Sequence, residues 1–572
     1  MSEDTVGAEQ GPLEFYKFPY PVVDNGPEGS YDEGYMGEPC VEIIDGLYEM
    51  WYEAIGYPPY GGGHRWTIAY ASSQDGVHWQ KDPNKQFLPN SQYSWCNEHV
   101  LEPWVFKDGD LYRIYFSANL EGGTNPVQIG YAESMDGVHW SNYQLVVGAP
   151  QLNGKKIDGK QIKGASEPSV VKRGDGDYIM YFQAETGGGV FDHIGYALSQ
   201  NGVTFTVPTT TEGNHAPAWN SSQAWRDVRG LAGPAVIQHR GLYYLFCNTW
   251  STSCDIGYAV SPDGIHFSPA KGNPVLTTTA FGYDDSLLCY EPAVQILENG
   301  KVQLWWNGVR AHGGRDSAPY VAAIAYGFAY LDAPANSLIC HWPLDESEGE
   351  GVRDVTEFGH YGENQGAKVG VVGATPETGT AYHFDGKDDY LWAHHMPLLN
   401  QSSLSVSCYI RPDDLQREQM IVSKWNVEGM FDHEVSHEWR LGIRADGRPF
   451  FEVAKRGELH ASTTCVSAQP LRAEIWQQIK AEYDDQDSRL TLLVDGKVTA
   501  TADHHGPRRV GRSVITVGAS RHGTGKYPAD MADFFRGGID DIRLYNCAHC
   551  GESGSDSKFD EREQTSTRSK GQ

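Results

Sequence analysis

Five copies of one phrase fill the first 330 residues of the chain, and no other feature restricts its fold as tightly. The first half of the phrase reads GEPCVEIIDGLYEMWYEA from Gly37, LEPWVFKDGDLYRIYFSA from Leu101, SEPSVVKRGDGDYIMYFQA from Ser166, AGPAVIQHRGLYYLFCNT from Ala232 and YEPAVQILENGKVQLWWNG from Tyr290. Each copy is a strand-forming run, a Gly-containing turn and a second run. The second half reads IAYASSQDGVHW from Ile68, IGYAESMDGVHW from Ile129, IGYALSQNGVTF from Ile194, IGYAVSPDGIHF from Ile256 and a worn AIAYGFAYLD from Ala323. It adds a third strand, a DG or NG turn and a fourth strand. The residue before the proline is Glu38, Glu102, Glu167, Gly233 and Glu291 in turn, giving steps of 64, 65, 66 and 58 residues. A single four-stranded antiparallel sheet cannot bury both faces. About five arranged radially cover one another and leave only short protected edges, so the repeat predicts a five-bladed β-propeller over residues 1–335.

After Leu331–Ser337 the phrase disappears and alternation becomes strict, as in YHFDGKDDYLW, SLSVSCYIRP, RLTLLVDGKV and FRGGIDDIRLYN. Period-two strands separated by turns predict a two-sheet jelly roll over residues 336–551. The Ser-, Glu-, Asp- and Lys-rich residues 552–572 are expected to be a disordered tail. The fold class is therefore all-β.

Composition narrows the partners. With 40% apolar residues the chain can form substantial cores, yet no run reaches the ~20 apolar residues that a membrane helix needs. A net charge of −30 repels phosphate backbones and anionic lipid, so neither nucleic acid nor membrane is expected as a partner. The start MSEDTVGAEQGPLEF has no basic segment and no apolar h-region. The expectation is a cytoplasmic protein, or a secreted one if translation begins elsewhere. The ten cysteines show no framework spacing and are expected as reduced thiols; Cys547 and Cys550 form one CxxC with no companion at zinc-ligand distance, so no metal is assigned.

In an up-and-down blade the start of the innermost strand and the loop between the second and third strands share one end. The Glu-Pro positions therefore lie at one mouth with five Gly-rich or polar loops. That mouth gathers Glu38, Glu102, Glu167 and Glu291 as candidate catalytic carboxylates. Beside them His64, Arg65, Trp66, His99, Asp192, His193, Arg226, Arg310 and His312 are candidate substrate-binding groups, with Arg315 near them and Trp104, Trp225 and Trp250 as further stacking faces. Asp24, Asp32 and Glu33 are alternative acids for the first blade. Burial and mutual repulsion raise some carboxyl pKa values and leave others ionised, the two states that glycosidic cleavage requires. An architectural alternative stays open, in which each Glu caps backbone amides of a neighbouring blade.

The repeated phrase resembles the blades of the five-bladed glycoside hydrolase propellers of families 32, 43, 68, 117 and 130, over residues 16–332. That resemblance implies a carbohydrate substrate and places acid, base and pKa-tuning roles on Glu38, Glu102, Glu167 and Glu291. The chain departs from the pattern by carrying Glu where Asp is usual, by Gly233 in the fourth copy, and by lacking the WMNDPNG and RDP motifs. The alternatives are a non-catalytic glycan-binding protein and a glycoside phosphorylase. Several Arg and His residues at the mouth suit an acidic or sulfated sugar. The second half resembles laminin-G-like, concanavalin-type domains over residues 338–548, which implies carbohydrate binding and sometimes Ca²⁺. Asp385, Asp388 and Asp389 are the carboxylates available for such an ion, although HFDGKDDYL reads more readily as a strand, a turn and a strand. Oligomeric state is not legible.

Overall fold

The computed structural model describes residues 13–18, 21–56, 65–119, 127–174, 176–186, 191–225, 230–250, 254–278, 288–311, 320–332, 334–401, 403–425, 437–458, 461–521 and 531–550. The chain divides into two compact units, Met1–Asp332 and Ala333–Gln572.

The first unit is a five-bladed β-propeller. Each half-phrase supplies two strands whose apolar residues face neighbouring blades on both sides, so the inner strands are buried along most of their length. The first four blades are sheets of consecutive strands, beginning with Tyr35–Ile44, Leu47–Ile55, Thr67–Ser73 and Trp79–Lys81. Innermost strands of the others are His99–Asp108, Gly164–Lys172, Gly230–His239 and Leu288–Ile296. The fifth blade takes its outer strand from the other end of the unit: Tyr16–Lys17 pairs with Tyr320–Tyr330, Tyr16 opposite Phe328. This explains why the fifth copy of the phrase stops without a DG turn. Its fourth strand is already present upstream, and pairing it there joins the start of the unit to its last blade and so closes the ring.

At one end of the ring the DG turns are built alike. Ser73 Oγ accepts the amides of Asp75 and Gly76, Asp75 Oδ1 accepts those of Val77 and His78, and His78 Nδ1 meets Asp75 Oδ2 at 2.7 Å. Ser134, Asp136 and His139 repeat the arrangement, as do Ser261, Asp263 and His266, while the third blade uses Ser199, Asn201 and Thr204. Gly76 has φ +77°, the left-handed conformation the turn requires. Its carbonyl, exposed by the turn, accepts Trp305 Nε1 of the fifth blade at 2.8 Å, and Gly202 and Gly264 accept Tyr115 and Tyr181 hydroxyls at 2.6 Å. The turns thus latch blade to blade.

The second unit is a sandwich of two eight-stranded antiparallel sheets. Arg536–Tyr545, the FRGGIDDIRLYN segment, is central, pairing with Leu338–Trp342, Thr380–Asp385 and Leu404–Pro412. Facing it, the other sheet runs from Gly351–Val352 to Ser462–Val466 through Gln419–Trp425 and His437–Ile443. Between the sheets Trp342, Tyr382, Phe384, Trp439 and Phe451 are buried. One correction concerns the cysteines: Cys547 and Cys550, expected as thiols, are joined by a disulfide, while the other eight are buried thiols outside any disulfide. Asp385, Asp388 and Asp389 form the turn the sequence favours, with Asp389 Oδ2 accepting the Asp385 amide at 2.8 Å and Asp385 Oδ1 that of Lys387 at 2.8 Å.

Candidate functional site: a ring of carboxylates on the propeller axis

The Glu-Pro phrase makes a β-bulge. In every blade the pairing of first and second strands slips at this point, between Gly37 and Cys40, Leu101 and Trp104, Ser166 and Ser169, Ala232 and Ala235, and Tyr290 and Ala293. Proline disfavours the right-handed helical region for the residue before it and has no N–H to leave unpaired. The preceding residue goes left-handed instead, with φ +46° at Glu38, +54° at Glu102, +52° at Glu167, +59° at Gly233 and +54° at Glu291. For an L residue this costs roughly 1–2 kcal/mol. It also turns the side chain out of the strand and frees the bulge amide to donate across to another blade.

Those amides find partners that the sequence reading missed. Opposite the residue before each bulge stands a polar residue on the second strand: Glu53, Ser117, Gln183, Asn248 and Asn307, facing Gly37, Leu101, Ser166, Ala232 and Tyr290. Each sits in an otherwise apolar run, which is a signal readable in the sequence. The Glu53 carboxylate accepts the amide of Glu102. Ser117 Oγ and Glu102 Oε2 accept the amide of Glu167 at 3.0 and 2.9 Å. Glu167 Oε2 accepts the amide of Gly233, and Asn248 Oδ1 accepts that of Glu291 at 3.0 Å. With its amide turned to satisfy both ends, Gln183 donates to Glu167 Oε1 at 2.9 Å and accepts Trp250 Nε1 at 2.9 Å. Hydrogen bonds to a charged acceptor contribute about 1.5–3 kcal/mol each, enough to offset the left-handed backbone.

The result is five carboxylates on one axis. Oxygens of Glu38, Glu102 and Glu167 lie within 4.8 Å of one another, and so do oxygens of Glu38, Glu53 and Glu291. Glu53, Glu167 and Glu291 are buried. Among the described residues none of the five pairs with Lys, Arg or His. Burial, and then repulsion from the other carboxylates, pushes Glu38, Glu53, Glu167 and Glu291 well above the usual carboxylate range. Glu102 is raised by burial but opposed by hydrogen bonds from Ser117 and the Glu167 amide. Buried like charges at this spacing cannot all ionise, so protons or a cation must neutralise part of the ring.

The four Glu residues singled out in the sequence are thus brought together, and Glu53 joins them. Trp66 is also near: its ring meets Tyr35 edge-on at 5.2 Å, and Tyr35 bonds Tyr290 through their hydroxyls at 2.8 Å. Asn307 Nδ2 donates to Tyr35 and, at 3.2 Å, to Glu291 Oε2. His99 Nδ1 accepts the Trp66 amide at 3.3 Å; burial holds its pKa below the usual histidine value and the Arg65 charge adds to this. Arg65 itself is exposed. His193 is buried in the third blade, taking the Ser221 amide on Nδ1 at 3.3 Å with Nε2 3.6 Å from Asp158. His64, Arg226, His312 and Arg315 lie outside the described residues, as do the side chains of Asp192 and Arg310.

Other expectations are corrected. Trp104 is buried between blades, its Nε1 donating to Val170 O at 2.8 Å, so it offers no stacking face. Trp225 packs over Gly257 and against Trp219, ring centroids 5.9 Å apart. Asp32 is buried in an ion pair with Lys81 at 2.5 Å, and Glu33 caps the Gly29 amide at 2.6 Å. Asp24 takes the Asn25 amide at 2.8 Å. These three acids brace the lead-in to the first blade, leaving Glu38 and Glu53 as its axial acids.

Comparison with known proteins gives the following. Residues 385–551 match the Concanavalin A-like lectin/glucanases superfamily. Two uncharacterised proteins of Mycobacterium tuberculosis, from strains CDC 1551 / Oshkosh and ATCC 25618 / H37Rv, are each 34% identical over 149 residues, covering 25% of this chain. The matched stretch spans 44% of the length of each of these curated relatives. Among solved structures, one described under a glycoside hydrolase family 130 of mannoside phosphorylases aligns over 56% of this chain and 95% of its own, at TM-score 0.42 and 17% identity. A thermostable family-43 glycoside hydrolase aligns over 53% and 91%, at 0.37 and 17%. The sialidase of Trypanosoma rangeli, in its complex with sialic acid, aligns over 95% and 96%, at 0.38 and 11%.

Proposed function

We propose that this protein is a carbohydrate-active enzyme, a glycosidase that hydrolyses an O-glycosyl bond at the propeller axis. The observation that carries the reading is the convergence of Glu38, Glu102 and Glu167 oxygens within 4.8 Å of one another. Glycosidic cleavage needs one carboxyl protonated to release the leaving oxygen and a second ionised to attack the anomeric carbon or to activate water. Carboxyl separations of about 5–5.5 Å belong to retaining enzymes and about 6.5–9.5 Å to inverting ones, and the stereochemistry of the released sugar decides between them. Glu102, held by Ser117 and the Glu167 amide, is the better carboxylate, and Glu167, raised further by burial and by Glu102 itself, is the better acid. The two titrate as a coupled pair. Trp66 and Tyr35 supply an aromatic wall beside the ring, suited to the apolar face of a sugar. The match of residues 385–551 to a lectin and glucanase superfamily is compatible with a carbohydrate partner for the second unit.

A second reading, glycan binding without turnover, is favoured by one observation: Glu102 and Glu167 already accept backbone amides of the next blade. The two readings separate in a turnover screen against plant and marine polysaccharides and aryl glycosides, with and without phosphate. Sugar release by wild type but not by Glu167→Gln supports the glycosidase. Release only with phosphate indicates a phosphorylase, and binding without release of any product indicates a lectin-like role.

A further inference from the structure

The carboxylate ring is not uniform. Glu102 and Glu167 have their oxygens engaged by backbone amides and by Ser117, whereas on the other side, where Glu53 takes the Glu102 amide and Glu291 takes Asn307 Nδ2, Glu38 meets only the carboxyls of Glu53 and Glu291 and needs a shared proton or cation to do so. Glu38 Oε2 and Glu53 Oε2 are buried and have no hydrogen-bond partner. Glu53 is only 3% exposed. Asn307, which is fully buried and donates through Nδ2 to Glu291, leaves its Oδ1 without a partner as well. An unsatisfied buried carboxylate oxygen is expensive, and two within one cluster of carboxyls call for a shared proton or cation.

We propose that Glu38, Glu53 and Glu291 form a binding site for a hard divalent cation of the Ca²⁺ class on the propeller axis. Oxygens of the three carboxylates all lie within 4.8 Å of one another. Two ligands on opposite sides of an ion at about 2.4 Å stand about 4.8 Å apart, so the three are close enough to share one ion of this class. The donors are all oxygen, with no His or Cys among them, which selects Ca²⁺, Mg²⁺ or Mn²⁺ over softer ions. The ligands arrive from the first and second strands of blade one and the first strand of blade five, so an ion there would clamp the blades between which the ring closes. The assignment shares Glu38 with the proposed hydrolytic site, but its readout is cation binding rather than turnover, so failure of one is distinguishable from failure of the other.

The test uses the full chain with Asp385, Asp388 and Asp389 replaced by Asn, which removes the acidic group found among the described residues of the sandwich. After chelator treatment, Tb³⁺ is titrated while tyrosine and tryptophan are excited, since Tyr35, Tyr290 and Trp66 stand beside the site. The site predicts sensitised Tb³⁺ luminescence, its displacement by Ca²⁺, and a higher unfolding temperature with Ca²⁺. Glu53→Gln is expected to weaken Tb³⁺ and Ca²⁺ binding by at least about tenfold. Should that variant fail to fold, Glu53→Asp keeps the charge while withdrawing the ligand, and the same weakening is expected. Absence of Tb³⁺ luminescence, affinity unchanged by both Glu53 variants, or an unfolding temperature that rises on acidification but ignores all three cations would overturn the proposal. The last result would mean that shared protons neutralise the cluster.

Discussion

Glu102 Oε2 in the second blade accepts the backbone amide of Glu167 in the third at 2.9 Å, so a side chain proposed for chemistry also ties two blades together. A substitution at either position therefore has two consequences that must be separated.

Replacing Glu102 by Gln keeps an acceptor oxygen for that amide and removes the charge. Sugar release is expected to fall by two orders of magnitude or more with the unfolding temperature nearly unchanged. Glu102→Ala removes the acceptor too and is expected to cost a further 1–3 kcal/mol or so of stability. If Gln and Ala lower activity equally and both lower the unfolding temperature equally, the carboxylate serves only the architecture. Kinetics and thermal unfolding of both variants decide it.

Gly233 is the one bulge residue without a carboxylate. A Cβ there would stand 2.7 Å from Asn248 Oδ1 and 3.0 Å from the Glu291 Cα. Asn248 cannot withdraw freely, because it caps the Glu291 amide. Gly233→Ala is expected to destabilise the propeller by about 1–3 kcal/mol, and Gly233→Glu, which would complete the repeat, by at least as much. Denaturant unfolding measures both.

In the DG turns the pH dependence has a definite sign. Burial opposes ionisation of Asp75, but amides of His78 and Val77 and the His78 ring outweigh it and bring the carboxyl down to about 2. A depressed carboxyl contributes stability that is present above its unfolded value, near 4, and lost as pH falls through about 2. The group is half exposed, so the contribution is about 1 kcal/mol or less. Asp75→Asn copies the Asn201 turn of the third blade, so it is expected to fold and to show a shallower loss of stability between about pH 4 and 2. Equal slopes for wild type and variant in acid denaturation would refute the assignment.

Within the sandwich, Lys424 and Glu438 form an ion pair with both side chains fully buried, and Lys424 also donates to Gly511 O at 2.9 Å. Lys424→Met removes the cation in direct contact with buried Glu438, leaving it the weaker attraction of Arg508 and the Ser513 amide, and is expected to cost about 3 kcal/mol. Lys424→Met combined with Glu438→Leu removes both charges and should recover much of that loss. A double variant no more stable than the single would show that the remaining polar contacts, not the pair, are what the core requires.

The repeat determined the propeller because strand pattern and turn chemistry are local: a DG turn, a proline after a bulge and an apolar run each act over a few residues. Five recurrences of the same local instructions leave few ways to bury the faces. The axial gathering of Glu38, Glu102, Glu167 and Glu291 followed from the same logic, since equivalent positions in radially arranged blades must converge. What tertiary structure alone decided lies between blades. That Glu53 belongs to the ring, that Asp32 pairs with Lys81 instead, that Trp104 points into a blade interface and that Tyr16 completes the fifth blade all depend on contacts between residues far apart in sequence. The division of the ring, with backbone amides engaging Glu102 and Glu167 while oxygens of Glu38 and Glu53 stay unpaired, is set by how closely neighbouring blades approach at the axis. A linear sequence carries the residues of that arrangement but not the distances that give each carboxylate its partner.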